Sequence, residues 1–584
     1  VHFVQALDIA MDFRAPTRDQ IFALFEVCSL NSVFTLARFR DFDSDTIKAV
    51  LDGAGRFAEG VLAPLNRSGD EEGARFENGR VFAAKGFANA YKQFANGGWN
   101  SLTADTEHGG QGLPRAVGLA AFECVHGANM SFGLCPLLTE AAIHCLETYG
   151  DARQKSVYLP KLVSGEWTGT MNLTEAQAGS DLSLVRTRAE PGDNGRHKLF
   201  GQKIFITWGD HDCADNIVHL VLARLPDAPP GVKGISLFLA PKNLVDANGK
   251  IGAANALKPV SIEHKLGIHA SPTCVMAYEG AEAELVGAIG NGLAQMFTMM
   301  NAARLNVGME GVGIAETAYQ RALAFSLERR QGRSPWSSDP TARIFDQPDV
   351  RRMLMLMKAK TDAARMICLS TAVAADLADS DDDARMREEL LVPIAKAWSS
   401  DVGVEVASLG VQVHGGMGFI EETGAAQYYR DARIAPIYEG TNGIQAMDLA
   451  GRKLALGNGA AMAKLIADMR ATLADLTTPS LQPLAAPLDA GIAALEHATK
   501  TMLQRKGTAD SLAAATSYLK LAGDVVGGWM HAKAAIAASQ RDDFSKSKLA
   551  LAQFYAMQVL AAAPSALAAI ESGAASMESF APLM

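Results

Sequence analysis

The apolar positions change their period twice, and those changes divide the chain. From residue 45 to about 161 they recur at helical spacing: Ile47, Val50, Leu51 and Ala54 share one face, and Val117, Ala120, Ala121 and Cys124 share another. Ahead of them, residues 14–35 read as a short leading helix with Pro16 as its start signal. Around Gly165 the period shortens. Segments 168–173, 199–207, 217–223 and 235–239 are short, β-rich and separated by Gly, Pro and Asp turns, and 271–278 reads as a further strand. Helical spacing returns at residue 293. Segments 302–330, 350–377 and 390–409 are long with apolar faces, which suits a helix bundle, and 379–383 reads as a solvated acidic loop. Past 457–460 an Ala-rich tail keeps helical periods at 461–476, 488–503, 512–538 and 546–570. The pattern predicts a mainly α chain with an inserted β domain. Its expected parts are an N-terminal extension over 1–44, a helical domain over 45–165, a β domain over 166–290, a bundle over 291–457 and a helical extension over 458–584.

Composition narrows the possibilities. The 584 residues are 48% hydrophobic and 20% charged, enough for several domains and a large core. A formal net charge of -10 argues against sequence-independent nucleic-acid binding, which needs a basic surface. Seven cysteines with no Cys-x-x-Cys pair point to reduced thiols in a cytoplasm rather than to a disulfide framework. The first ten residues are apolar but carry Asp8 and lack a basic front, so they are not a signal peptide, and Met11 is a candidate natural start. The best apolar run, 556–570, is interrupted by Pro564 and is not expected to span a bilayer.

One stretch, 429–445, concentrates the chemistry. It sets a single carboxylate, Glu439, between an apolar approach (Ile434, Pro436, Ile437, Tyr438) and a turn of Gly440, Thr441, Asn442 and Gly443, ahead of a helical pattern. Thr441 and Asn442 suit a helix start because their side chains accept from free backbone N–H groups. Burial raises the pKa of such a carboxylate and the helix N-terminus lowers it, one way to poise a general base. The residues alone leave open a capping or salt-bridged Glu. A second stretch, 171–181, ends a strand in hydroxyl and glycine residues that suit the edge of a planar ring, and it reads equally as an ordinary turn. His264 and His269 lie close in sequence, but no third metal ligand is near, so His269 reads as a loop hydrogen-bonding residue. No nicotinamide fingerprint or Walker loop occurs in the context either requires.

Together these stretches resemble the acyl-CoA dehydrogenase family over nearly the whole chain. Ile437-Tyr438-Glu439-Gly440-Thr441-Asn442 is similar to its catalytic-base motif, and 174–181 to its flavin-binding Thr-Glu-Pro-x-Ala-Gly-Ser-Asp, with Ala176 in place of Pro. Residues 201–209 resemble its Gly-x-Lys-x-x-Ile-Thr-Asn-Gly strand, with Trp208 replacing Asn, and 412–418 its Gln-x-x-Gly-Gly-x-Gly. The wording of 267–273 resembles the subgroup containing 3-methylmercaptopropionyl-CoA dehydrogenases, and residues 13–16 resemble a subgroup's N-terminal extension. A plain member ends near residue 455, so the tail resembles the extension of the long-form members. It carries no catalytic motif, and a packing role that covers a surface used by short members to form tetramers points to a homodimer.

The resemblance implies a helical domain, a β-barrel domain, a bundle and the added helices. FAD would lie between β domain and bundle, completed across a dimer interface. Glu439 would be the base. Met171, Leu173, Thr174, Phe205 and Thr207 would hold the flavin ring, and Gly179 and Ser180 would sit where flavin phosphates and the CoA arm meet. Thr441, Asn442 and Gly443 would contact FAD phosphate, while Arg329, Gln412 and Gly416 would hold the neighbouring subunit's FAD. Ser180, Asn301, Arg304 and Gly440 would contact the acyl-CoA. Some members carry the base immediately before this Arg, but here that position is Ala303. The implied reaction is α,β-dehydrogenation of an acyl-CoA thioester, with electrons passed to electron-transferring flavoprotein and a possible place in dimethylsulfoniopropionate degradation. Two rival readings remain: an oxidase passing electrons to oxygen, and a DNA-binding flavoprotein of the same superfamily, which the acidic balance and intact Glu439 disfavour.

Overall fold

The computed structural model describes residues 13–538, 542–578 and 580. The expectations for the first ten residues and Met11 lie outside them. The chain forms two compact units. One takes the residues up to 52, then 114–127, then everything from 304 onward; the other takes 53–113 and 128–303.

The second unit contains the β structure. Its main strands are β3 (Trp167–Asn172), β4 (Arg188–Pro191), β5 (His197–Thr207), β6 (Asn216–Arg224), β7 (Ile235–Pro241), β10 (Leu257–Ile262) and β11 (Thr273–Val286). Pairing runs β10-β11-β5-β4-β6-β3, and β7 joins β6 to β11, so the path β11-β5-β4-β6-β7 returns on itself. A closed path removes the exposed edges of those strands. Its interior is filled by alternating inward residues including Leu199, Ile206, Val221, Phe238, Met276 and Ala283. Two short strands, β8 (Asn243–Val245) and β9 (Ile251–Ala254), pair beside it. Before the barrel, the all-helical expectation for 45–161 fails at one place. β1 (Arg75–Glu77) and β2 (Arg80–Phe82) form a hairpin closed by Asn78 and Gly79, both at positive φ (52° and 76°). Asn-Gly is the turn pair that adopts this shape most readily.

The first unit is helical. Its long helices are Gly292–Glu328, which begins in the other unit, Pro348–Leu377 and Asp382–His414. Asp382 and Asp383 belong to a helix rather than to an acidic loop, because Asp381 caps its start by accepting from the Asp383 and Ala384 N–H groups. The leading segment is three short pieces, Thr17–Phe22, Ala23–Val27 and Leu30–Thr35, separated where Ser29 adopts φ 59°. The tail forms helices Ala460–Leu473, Gln482–Gln504, Ala509–Ala537 and Asp543–Gln558. Around Pro564, which has no N–H to donate, the last period breaks into a tight turn and the helix Ala566–Ser572. The run 543–572 is the one stretch among the described residues with the length and apolarity to cross a membrane, and 33% of its most apolar window is buried in the fold.

Charge ties the tail to the bundle. Arg365, buried, pairs with Glu123 (2.7 Å), Glu316 (2.8 Å) and Asp362 (2.6 Å). Lys358 and the tail's Lys548 both reach Asp19 and Asp362. Asp19, Glu316 and Asp362 are close enough to hold an ion, but these cations already neutralise them. Trp398 of the bundle also donates to Asp524 of the tail at 3.0 Å, against Gly523, where any side chain would collide with the indole.

Candidate functional site

In the helical unit the site is built on the turn before the helix Asn442–Gly451. Thr441 caps that helix, its hydroxyl accepting from the Ile444 N–H at 3.2 Å. Ahead of the cap, Glu439 (φ 54°) and Gly440 (φ 81°) are both left-handed. For glutamate that conformation is strained by on the order of 1–3 kcal/mol and must be held by its surroundings. Asn442 N–H closes the turn on the Pro436 carbonyl at 3.0 Å. The Gln445 amide donates to the Glu439 carbonyl at 3.3 Å, and Arg304 Nε donates to the same carbonyl at 3.4 Å. A side chain at position 440 would meet Gln445 Nε2 at 2.7 Å, so glycine is needed for space as well as for φ.

The electrostatics follow from this packing. Burial pushes the Glu439 carboxyl up from its ordinary value, while Arg304 and Lys396 pull it part of the way down. Lys396 is itself buried, which lowers it to about 8 against the pull of Glu439, Glu310 and Asp401. The Asn442 side chain is committed inside the protein: it accepts from Lys396 Nζ at 2.8 Å and donates to the Ala397 carbonyl (3.0 Å), Ser400 (3.0 Å) and Asp401 (2.8 Å). It braces the turn against the Asp382–His414 helix, while Gly443 is exposed in the first turn of its own helix.

Sequence reasoning missed Lys396, Gln445 and Glu310. The available signal was a lone charge inside an apolar helical run, such as Lys396 between Ile394 and Trp398. Elsewhere on this unit, His414 stacks on Phe325 with ring centroids 4.4 Å apart. The stack brings together the helix ends that carry exposed Arg329, Gln412 and Gly416. Asn301 is exposed on the Gly292–Glu328 helix.

In the β unit, Met171 is buried in β3, and Leu173 and Thr174 follow it half-buried. The Thr174 carbonyl accepts from the Ile204 N–H at 2.9 Å, which lays this segment beside β5. Buried Lys203 locks it, reaching the Leu173 carbonyl (2.9 Å) and Glu175 (2.8 Å). Burial would push the Glu175 carboxyl up, but Lys203 and donors from Thr187 and Arg186 bring it down to about 2. Opposite Val275, β5 carries an extra residue: Ile206 pairs with Cys274 but Lys203 with Met276. This bulge falls at Phe205, whose φ is 60°. It turns the ring outward, 59% exposed, although Lys203 two residues earlier is buried. Thr207 ends β5, half-buried opposite Thr273. Trp208 (φ 51°) is a buried wedge that stacks on Phe87 and donates to the Ser131 carbonyl at 3.2 Å. His269 is a loop residue bonded to Asp70 and to the Lys265 carbonyl.

These residues fit a flavin nucleotide. An exposed aromatic face stands beside the segment of Leu173 and Thr174, Ser180 is exposed, and a Cβ at Gly179 would meet nothing within 4 Å.

Family models match in three places: the acyl-CoA dehydrogenase N-terminal domain over 44–166, its C-terminal domain over 290–454, and an acetyl-CoA dehydrogenase C-terminal-like domain over 465–581. The chain is 47% identical to the 3-methylmercaptopropionyl-CoA dehydrogenase of Ruegeria pomeroyi, covering 94% of this chain and 96% of that one. It is 34% identical to a butyryl-CoA dehydrogenase of Syntrophomonas wolfei, covering 93% and 94%. Among solved structures, Caenorhabditis elegans ACDH-11 in complex with C11-CoA superposes with a TM-score of 0.76 at 21% identity, covering 94% of this chain and 92% of that one. An acyl-CoA dehydrogenase complexed with FAD from Bacillus anthracis superposes at 0.71 and 22% identity, covering 91% and 88%. By these matches the chain belongs to the acyl-CoA dehydrogenase family and is an FAD-dependent oxidoreductase acting on acyl-CoA.

Proposed function

We propose that the protein oxidises a short or medium acyl-CoA, 3-methylmercaptopropionyl-CoA foremost, to the trans-2-enoyl-CoA. The observation that carries this reading is the Glu439 turn: a carboxylate raised by burial and held in a strained left-handed conformation that Arg304 and Gln445 maintain. Glu439 removes the pro-R α-proton. FAD, which Met171, Leu173, Thr174, Phe205 and Thr207 would hold, would supply the acceptor for the β-hydrogen as hydride. The α-proton is too weakly acidic for a carboxylate unless the thioester carbonyl is polarised, and the backbone N–H of Glu439 is the donor assigned to that oxygen. Arg304 and Gly440 border the acyl-CoA, with Ser180 and Asn301 toward the CoA arm. Met171, Leu173, Thr174, Phe205 and Thr207 hold the ring, Gly179 and Ser180 the phosphates. Thr441, Asn442 and Gly443 form the helix start that faces FAD phosphate. Arg329, Gln412 and Gly416 serve the FAD of a second subunit in a homodimer, and electron-transferring flavoprotein accepts the electrons. The substrate reading is supported by the 47% identical relative of that name, and a reducing cytoplasm by seven free cysteines.

The test is a panel of acyl-CoA thioesters that includes 3-methylmercaptopropionyl-CoA, scored by bleaching of the bound flavin. Fastest bleaching by that thioester or a chain of similar length is expected. Bleaching confined to long chains would overturn the substrate assignment, and rapid peroxide formation without electron-transferring flavoprotein would favour an oxidase.

A further inference from the structure

We propose that Glu310 is a positioning residue for the reaction: a buried carboxyl that grips Tyr438 and thereby holds the Glu439 turn in its left-handed shape. This inference rests on Glu439 being the base.

Glu310 lies within the Gly292–Glu328 helix and is fully buried. One of its oxygens accepts a hydrogen bond from the Tyr438 hydroxyl; the other is buried without a partner. Tyr438 directly precedes Glu439, so fixing its ring fixes the main chain that enters the strained turn. Arg304 and Gln445 hold that turn from its carbonyl side. Glu310 holds the residue that enters the turn, through the Tyr438 hydroxyl. A buried acid with one unpaired oxygen costs least when that oxygen carries the proton.

The surrounding charges agree. Burial raises the Glu310 carboxyl to about 8, with Glu439 adding to the rise and Tyr438 and Lys396 opposing it. Lys396 in turn faces Glu439, Glu310, Asp401 and Arg304. Burial thus favours the neutral form of Glu310 and leaves Lys396 facing Glu439.

The experiment compares wild-type holoenzyme with E310Q, E310L, Y438F and E439Q, reading kcat, KM and flavin content. E310Q keeps an acceptor for Tyr438 and no charge. It should hold kcat near wild type at pH 7, the rescue expected if the acceptor for Tyr438 is what matters. E310L and Y438F release the ring, and should lower kcat by about tenfold or more with KM little changed and full flavin content, the pattern of a misplaced catalytic group. Wild-type kcat in both E310L and Y438F would overturn the proposal, as would a kcat in E310Q as low as in E310L. If E310L does not fold, wild-type kcat in Y438F overturns it alone, and so does a loss of about tenfold in E310Q with full flavin content. Normal bleaching in E439Q would instead show that the base lies elsewhere, a failure distinct from that of Glu310.

Discussion

Arg304 donates from Nε to the main-chain carbonyl of Glu439, 3.4 Å away, and its guanidinium also stands 4.0 Å from Asp448. The arginine therefore braces the Glu439 peptide, which carries the proposed base, as well as supplying a positive field. Lysine offers a point charge without the guanidinium fork. R304K should retain FAD and lose about 10- to 100-fold in kcat, the loss of one charge-assisted bond of roughly 1.5–3 kcal/mol. Rapid single-turnover flavin bleaching checks it.

E439Q removes the base while keeping the shape of the turn. The variant should bind FAD normally, and flavin reduction by acyl-CoA should fall by about 100-fold or more, the range expected for a general base. Stopped-flow absorbance of the bound flavin gives the number.

Gly440 and Trp208 both stand at positive φ, but replacing them does different damage. G440A places a Cβ 2.7 Å from Gln445 Nε2 at φ 81°, so it should lower both kcat and stability. W208N keeps a residue that tolerates the left-handed region, but empties the space beside Phe87 and leaves the Ser131 carbonyl without its donor. It should destabilise by about 3–5 kcal/mol, the range for emptying a large aromatic site, measured by denaturant titration.

The buried charge cluster predicts acid sensitivity. Burial pushes the Asp19 carboxyl up, but Lys358, Lys548 and Arg365 outweigh it and hold the group at about 2. A carboxylate depressed by folding adds stability that is fully present above its unfolded value near 4 and is lost as pH falls toward 2. Melting temperature should therefore drop over that window, and the drop should be shallower in D19N. K548M removes the cation linking the tail to Asp19 and Asp362 and should cost about 3–5 kcal/mol, as breaking a buried pair does. Hydrogen exchange should show the tail helices opening first.

Periodicity carried the long elements well, because helix and strand spacing are written in consecutive residues. It failed where the signal was short or interrupted. β10 contains Pro259, which argues against a strand, yet β10 ends the sheet path, where a missing N–H is tolerated. β4 has four residues and β8 three, too few to show alternation. Asn78-Gly79 is itself a hairpin signal, set inside a stretch whose apolar spacing reads as helical.

The sequence by itself determined the order of helical, β and helical segments, the added tail, and which residues make up the candidate base and flavin-type motifs, since each is a run of neighbouring residues. Only the tertiary structure decided that Phe205 faces outward, because its bulge exists only when β5 is paired with β11. The same is true of the company Glu439 keeps: Arg304, Glu310 and Lys396 come from helices distant in the chain. A carboxylate's strength as a base depends on which charges and how little water surround it, and that is settled when those helices pack.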